Sequence, residues 1–233
     1  MSDTIKTLAL ADIDIDGALR ETAERLPTRG QLLRRGAQAT AVGVLATGLL
    51  PGTAQARAKH ADNDVAILNF ALTLEYLQAA FYTQAERVGA LRGALAKQAR
   101  VVGSHERAHV KAFQETLGRR AAKSPSFNFR GTTDSPDAFR ATAVAFEDLA
   151  VGAYKEQLPK IHSDRYLAAA VAIHSVEARH AAWIRYLAGI VPAEHAFDAS
   201  LPDDETVQIV NATHFVTLHA PQTSTQHAPE FTG

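Results

Sequence analysis

The sequence predicts an all-α protein, an antiparallel four-helix bundle with a long crossover between helices two and three. Three observations lead there. Hydrophobic residues make up 46% of the 233 positions, and Ala-rich runs outnumber β-branched clusters, which favours helix over strand. Four segments carry apolar residues at helical spacing, each with a Glu near its middle. The third observation is a repeat. Ser104-His105-Glu106-Arg107-Ala108-His109 returns as Ser175-Val176-Glu177-Ala178-Arg179-His180, and Glu106 and Glu177 follow the lone Glu75 and Glu147 by 31 and 30 residues. Residues three apart share a helix face, so each repeat aims one carboxylate and one imidazole the same way.

Taken in order, residues 1–56 read as an export signal, with an ordinary amphipathic helix or a retained tether as the plainer alternative. Leu33-Arg34-Arg35-Gly36 precedes an Ala/Gly/Leu/Val run from Ala37 to Leu50, then Pro51-Gly52 and the small-residue site Ala54-Gln55-Ala56. The adjacent arginines before a weakly apolar run resemble a twin-arginine signal, which exports folded proteins. The run is shorter than the ~20 apolar residues of a membrane span, so no stable span is expected after cleavage behind Ala56. The expected location is the periplasm or cell envelope.

Helix one is expected to start at the capping run Asp62-Asn63-Asp64 and to end near Val88, before Gly89. Beside Glu75 its inward face carries Leu68, Leu72, Gln78 and Tyr82. A short turn over Gly89–Gly93 leads to helix two, which ends around Gly118 and carries Val102, Val110 and Phe113 beside Glu106 and His109. Residues 119–134 form the crossover loop. Ser135-Pro136, an N-cap followed by proline at the first helical position, opens helix three, and Pro159 closes it. Ser163-Asp164 caps helix four, which runs to about Gly189. Short first and third connections make each helix pair antiparallel. The middle loop can span the bundle, because 16 extended residues reach about 53 Å and a 27-residue helix is about 40 Å long. The bundle is thus placed at residues 62–201. Residues 202–233 hold a short capping helix over Asp203 to Phe215 and a Pro/Thr/His/Gln-rich tail from Pro221.

The four Glu sit on apolar stripes, not on charged faces. An ionised carboxylate without a partner is costly to bury, and four converging at one level repel one another. The inward stripes hold no Arg or Lys to balance them. Two divalent cations would, with Glu75, Glu106, His109, Glu147, Glu177 and His180 as ligands. Oxygen-rich ligation with one nitrogen per ion suits two iron or two manganese ions; zinc also fits, and the histidines disfavour magnesium or calcium. Each residue alone has a plainer reading, since a single buried Glu is usually hydrogen-bonded and a lone His on an apolar face is usually core. The paired spacing of all six favours the metal. Tyr82 and Tyr154, seven residues after Glu75 and Glu147, could hydrogen-bond ligands or relay electrons, with half-buried core packing as the simpler reading. His174 could support the site or merely pack. His105 points about 100° from Glu106 and is expected to lie outside it. His195, His214, His219 and His227 lack helical pairing and receive no role.

Four passages carry a family resemblance: Asn69-Phe70-Ala71-Leu72-Thr73-Leu74-Glu75-Tyr76-Leu77, Ser104 to His109, Phe146-Glu147-Asp148-Leu149-Ala150-Val151-Gly152-Ala153-Tyr154, and Glu177-Ala178-Arg179-His180. They resemble the bacterial ferritin-like domain family that includes plant desiccation-related proteins. The resemblance covers about Asp62 to Leu201 and implies a ferritin-like bundle with a di-iron or di-manganese site. All six ligand positions of the pattern are filled here.

Composition narrows the function. A formal charge of −1 without basic runs in the bundle excludes a nucleic-acid footprint. The absence of cysteine excludes disulfides, thiolate catalysis, iron–sulfur clusters and Cys-ligated zinc, and argues against a rubrerythrin-type peroxidase with its cysteine-bound partner module. The leading reading is a dimetal oxidoreductase acting on oxygen or hydrogen peroxide, by metal oxidation or manganese-catalase-like disproportionation, in envelope metal or oxidative-stress handling. The alternatives are a non-catalytic iron-binding or storage protein and a metal-free structural bundle. A homo-oligomer is left open.

Overall fold

Five helices, joined by turns and irregular segments, make up the part of the chain that the computed structural model describes, residues 51–219 with side chains from Ala58 onward. They are α1 (Pro51–Val88), α2 (Gly93–Leu117), α3 (Pro136–Gln157), α4 (Asp164–Leu187) and α5 (Asp203–Ala212), with no strand among the described residues. The arginine pair, the Ala37–Leu50 run and the tail from Pro221 lie outside them.

α1 starts eleven residues before the capping run expected to open it, because nothing in the Ala-rich stretch after Pro51 and Gly52 breaks a helix, and proline suits a first turn. Residues 58–62 are exposed and burial begins at Asp64, so the capping run marks where the bundle starts, not where the helix starts. Asp64 instead caps another helix. Its carboxylate accepts the backbone N–H groups of His162 and Ser163, both at 2.9 Å, at the start of α4, while Ser163 makes no side-chain cap of its own. The start of α3 follows expectation, with Ser135 Oγ accepting from Ala138 N at 3.2 Å and Pro136 in first position. Pro159 falls in a single 3-10 turn, Leu158–Lys160, after α3 has ended.

Side-chain pairings give the helix directions. Thr83 meets Arg107 and Tyr76 meets Gln114, so α1 and α2 run antiparallel. Tyr82 on α1 reaches Glu147 on α3, and Tyr154 on α3 reaches Glu75 on α1, which makes that pair antiparallel too. Asp148 meets Arg185, and Tyr154 meets His174, so α4 opposes α3. α2 and α3 therefore point the same way, and residues 118–135 carry the chain back along the bundle. That crossover is anchored by Phe129, which is buried edge-on against Phe81 and Phe215, and by Asn128 N donating to Phe215 O at 2.9 Å.

The apolar core has two parts. One gathers around Leu77, Phe81, Leu95, Phe139, Phe146 and Ile184, and the other around Ile67, Leu72, Phe113, Ile161 and Ala170. Between them lies a layer of buried carboxylates. The Ala58–Val88 part of α1 is long and apolar enough to cross a membrane by length and composition, but 72% of its apolar window is buried inside the bundle, as suits a core helix.

Candidate metal centre

Each helix of the bundle contributes one Glu from the middle of its inward stripe. Glu75 on α1, Glu106 on α2, Glu147 on α3 and Glu177 on α4 are all fully buried. His109 and His180 stand one turn after Glu106 and Glu177 and aim their Nδ1 atoms at the same level. The donor atoms fall into two overlapping groups, each within 4.8 Å: Glu75, Glu106, His109 and Glu177, and Glu106, Glu147, Glu177 and His180. Ligands held at about 2.1 Å from one ion lie about 3 to 4.2 Å apart, so each group is the size of one coordination shell.

The shared residues divide their oxygens. Glu106 turns Oε2 toward His109 Nδ1 at 3.4 Å and Oε1 toward His180 Nδ1 at 2.9 Å. Glu177 turns Oε1 toward His109 at 3.1 Å and Oε2 toward His180 at 3.7 Å. The other two carboxylates belong to one group each. Glu75 Oε2 lies 3.2 Å from His109 Nδ1, and Glu147 Oε2 lies 3.7 Å from His180 Nδ1.

Their remaining oxygens are held by tyrosines across the bundle. Tyr82 Oη donates to Glu147 Oε1 at 2.5 Å, and Tyr154 Oη donates to Glu75 Oε1. Both tyrosines are buried, which corrects the reading of them as half-buried core packing. The seven-residue spacing placed them on the right face; the crosswise pairing depends on how α1 and α3 are registered. His105 lies outside both groups, as expected, yet it touches a member of one. A turn of about 100° from Glu106 carries it toward α4, where its Nδ1 lies 2.9 Å from His180 Nε2. His174 packs against the Tyr154 ring and belongs to neither group.

The donor set fits cations better than it fits itself. Both oxygens of Glu106 and of Glu177, Glu147 Oε2 and His180 Nδ1 are buried without a hydrogen-bond partner. His180 Nδ1 is close to Glu106 but out of line for a hydrogen bond, so their attraction is one of charge. Buried polar atoms are ordinarily satisfied, and here six of the ten unsatisfied ones among the described residues converge on one point.

The electrostatics tell the same story. Burial, and then the Glu177 charge, hold Glu75 well above the ordinary carboxylate range; burial and the charges of Glu106 and Glu177 do the same to Glu147. Burial would also raise Glu106, but hydrogen-bond-range contacts from His109 and His180 outweigh it and bring that carboxyl down to about 2. His109, despite burial, is pushed up to about 12 by Glu106, Glu177 and Glu75, and His180 up to about 10, chiefly by Glu106 and Glu177. Burial and the facing carboxylates raise Tyr82 and Tyr154, keeping both phenols protonated as donors. With protein groups alone, imidazolium charge and carboxyl protons supply the positive charge that the cluster requires. The nearest arginine on α2, Arg107, faces outward to Glu86.

A family model for the ferritin-like domain matches residues 63–189, a span that takes in all six clustered residues. No curated protein matches the chain.

Proposed function

This chain belongs to the ferritin-like domain family, and from that premise we propose a dimetal carboxylate protein that holds two iron or two manganese ions and reacts with oxygen or hydrogen peroxide. The division of Glu106 and Glu177 between the two groups carries the reading, because a carboxylate with one oxygen toward each of two shells is built to bridge. Glu75 with His109, and Glu147 with His180, then complete one shell each. Two redox ions held by these six residues would supply an electron each, and Lewis acidity, toward a small oxygen substrate.

The protein's own contribution is positional. Tyr154 and Tyr82 hold the outer oxygens of Glu75 and Glu147, leaving the inner oxygens free for the ions. The two apolar clusters on either side keep bulk water out, which strengthens every charge interaction in the layer. His109 is the more exposed of the two histidines, its side chain 12% exposed against 4% for His180. In a peroxide dismutation, two peroxide molecules become two water molecules and one oxygen molecule. In metal oxidation, one peroxide and two protons take one electron from each of two ferrous ions and leave as two water molecules. The expected setting is the cell envelope.

The test is peroxide and oxygen consumption by protein loaded with each metal, beside Glu106→Ala. We expect turnover by one loaded form, and loss of both turnover and bound metal in the variant, since each group loses one of its two shared ligands. Full metal content in a folded Glu106→Ala protein would overturn the site. Many ions per chain in a large particle would replace the enzyme reading with storage.

A further inference from the structure

The centre is nearly two-fold symmetric. Moving 71 or 72 residues along the chain takes Glu75 to Glu147, Tyr82 to Tyr154, Glu106 to Glu177 and His109 to His180. The tyrosine bonds obey the same exchange. The outer nitrogens of the two histidines do not. His180 Nε2 meets His105 Nδ1 at 2.9 Å, with the rings stacked at 5.2 Å and 19°. The position equivalent to His105 is Val176, which has no polar atom to offer His109. Among the described residues, no hydrogen bond reaches His109 Nε2, and that side chain is the more exposed of the pair.

This asymmetry has a direct consequence for ligation. A histidine that binds an ion through Nδ1 carries its proton on Nε2, and a fixed acceptor for that proton sets both tautomer and ring orientation. His180 has such an acceptor within the protein; among the described residues His109 has none. We propose that His105 is a positioning residue that makes the two halves unequal, so that the Glu147–His180 half binds its ion first and more tightly, and the Glu75–His109 half fills second and exchanges faster. The inference rests on the two-metal reading. It assigns His105 no contact with the ions or the substrate.

Anaerobic titration of the full chain with Mn²⁺ tests it, followed by calorimetry and by electron paramagnetic resonance, which separates an isolated ion from a coupled pair. The native chain should bind in two steps, with the isolated-ion signal rising first and then giving way to the coupled one. His105→Val, which installs the residue type found beside His109, should weaken the first step about 10–100-fold and leave the second unchanged. His105→Asn, whose amide oxygen can accept near the position of Nδ1, should restore the gap. Glu147→Gln should remove the tight step, and Glu75→Gln should leave it. His105 is exposed, so both of its variants are expected to fold, and the asparagine variant separates hydrogen bonding from packing. Equal affinities in the native chain, two steps unmoved or equally weakened by His105→Val, or loss of the tight step in Glu75→Gln would each overturn the proposal. A native chain that binds no Mn²⁺ and no Fe²⁺ would overturn the two-metal reading itself, a different result from two equal sites.

Discussion

Metal ions would compete with protons for the same atoms in this centre, and the direction of each shift fixes how. The fold raises Glu75 and Glu147 above the ordinary 4.5 and raises His109 and His180 above the ordinary 6.5. A group raised by folding stabilises the fold fully below its unfolded value and loses that contribution as pH climbs toward its folded one. For the imidazoles the loss starts past 6.5 and finishes near 10 for His180 and 12 for His109. Glu106, depressed to about 2, acts oppositely, but its contribution is complete above 4.5 and disappears only in acid. Metal-free protein should therefore lose stability between about pH 6 and about pH 9, while stabilisation by added Mn²⁺ should grow, because ligation needs the same atoms deprotonated. Thermal melts with and without Mn²⁺ at both pH values read the two slopes, and parallel curves would contradict this account. The six clustered residues could be read from the sequence because their spacing is periodic within each helix. His105 and the crossed tyrosine bonds could not, because which neighbour a side chain meets depends on how separate helices pack.

Between helices, close approach matters more than local propensity. Gly103 sits on α2 where a Cβ would lie 2.9 Å from Tyr82 Cβ and 2.5 Å from Glu86 Oε1 on α1. In an isolated helix, Gly→Ala gains about 0.8–1 kcal/mol. Here Gly103→Ala should instead cost about 1–3 kcal/mol, because Tyr82 Cβ belongs to a buried anchor that cannot swing aside. Chemical denaturation measures the difference, and a more stable variant would show that α1 and α2 can separate freely. Asp64 makes a related point about legibility. Its sequence context marks a helix start, and local rules assigned it to α1, yet it caps α4 from across the bundle. Helix ends set by glycine or proline, at Gly89, Gly118 and Pro136, were legible because their cause lies within one turn of chain.

At the scale of the molecule, a four-carboxylate layer lies between two apolar clusters, and the crossover loop pins the C-terminal segment over one of them. We propose that Arg34-Arg35 open a twin-arginine-like export signal, a route for folded cargo that would let the bundle close around its ions first. Replacing both arginines by lysine should hold the protein in the cytoplasm, as fractionation would show; undiminished export would exclude that route. The central claim, that these six residues hold two redox metal ions, is tested most directly by elemental analysis of protein expressed with iron and manganese both present and gel-filtered without chelator. The account predicts about two equivalents of iron or manganese per chain, lost in Glu106→Ala. Less than about a tenth of an equivalent, in folded protein that takes up neither metal afterwards, would contradict it.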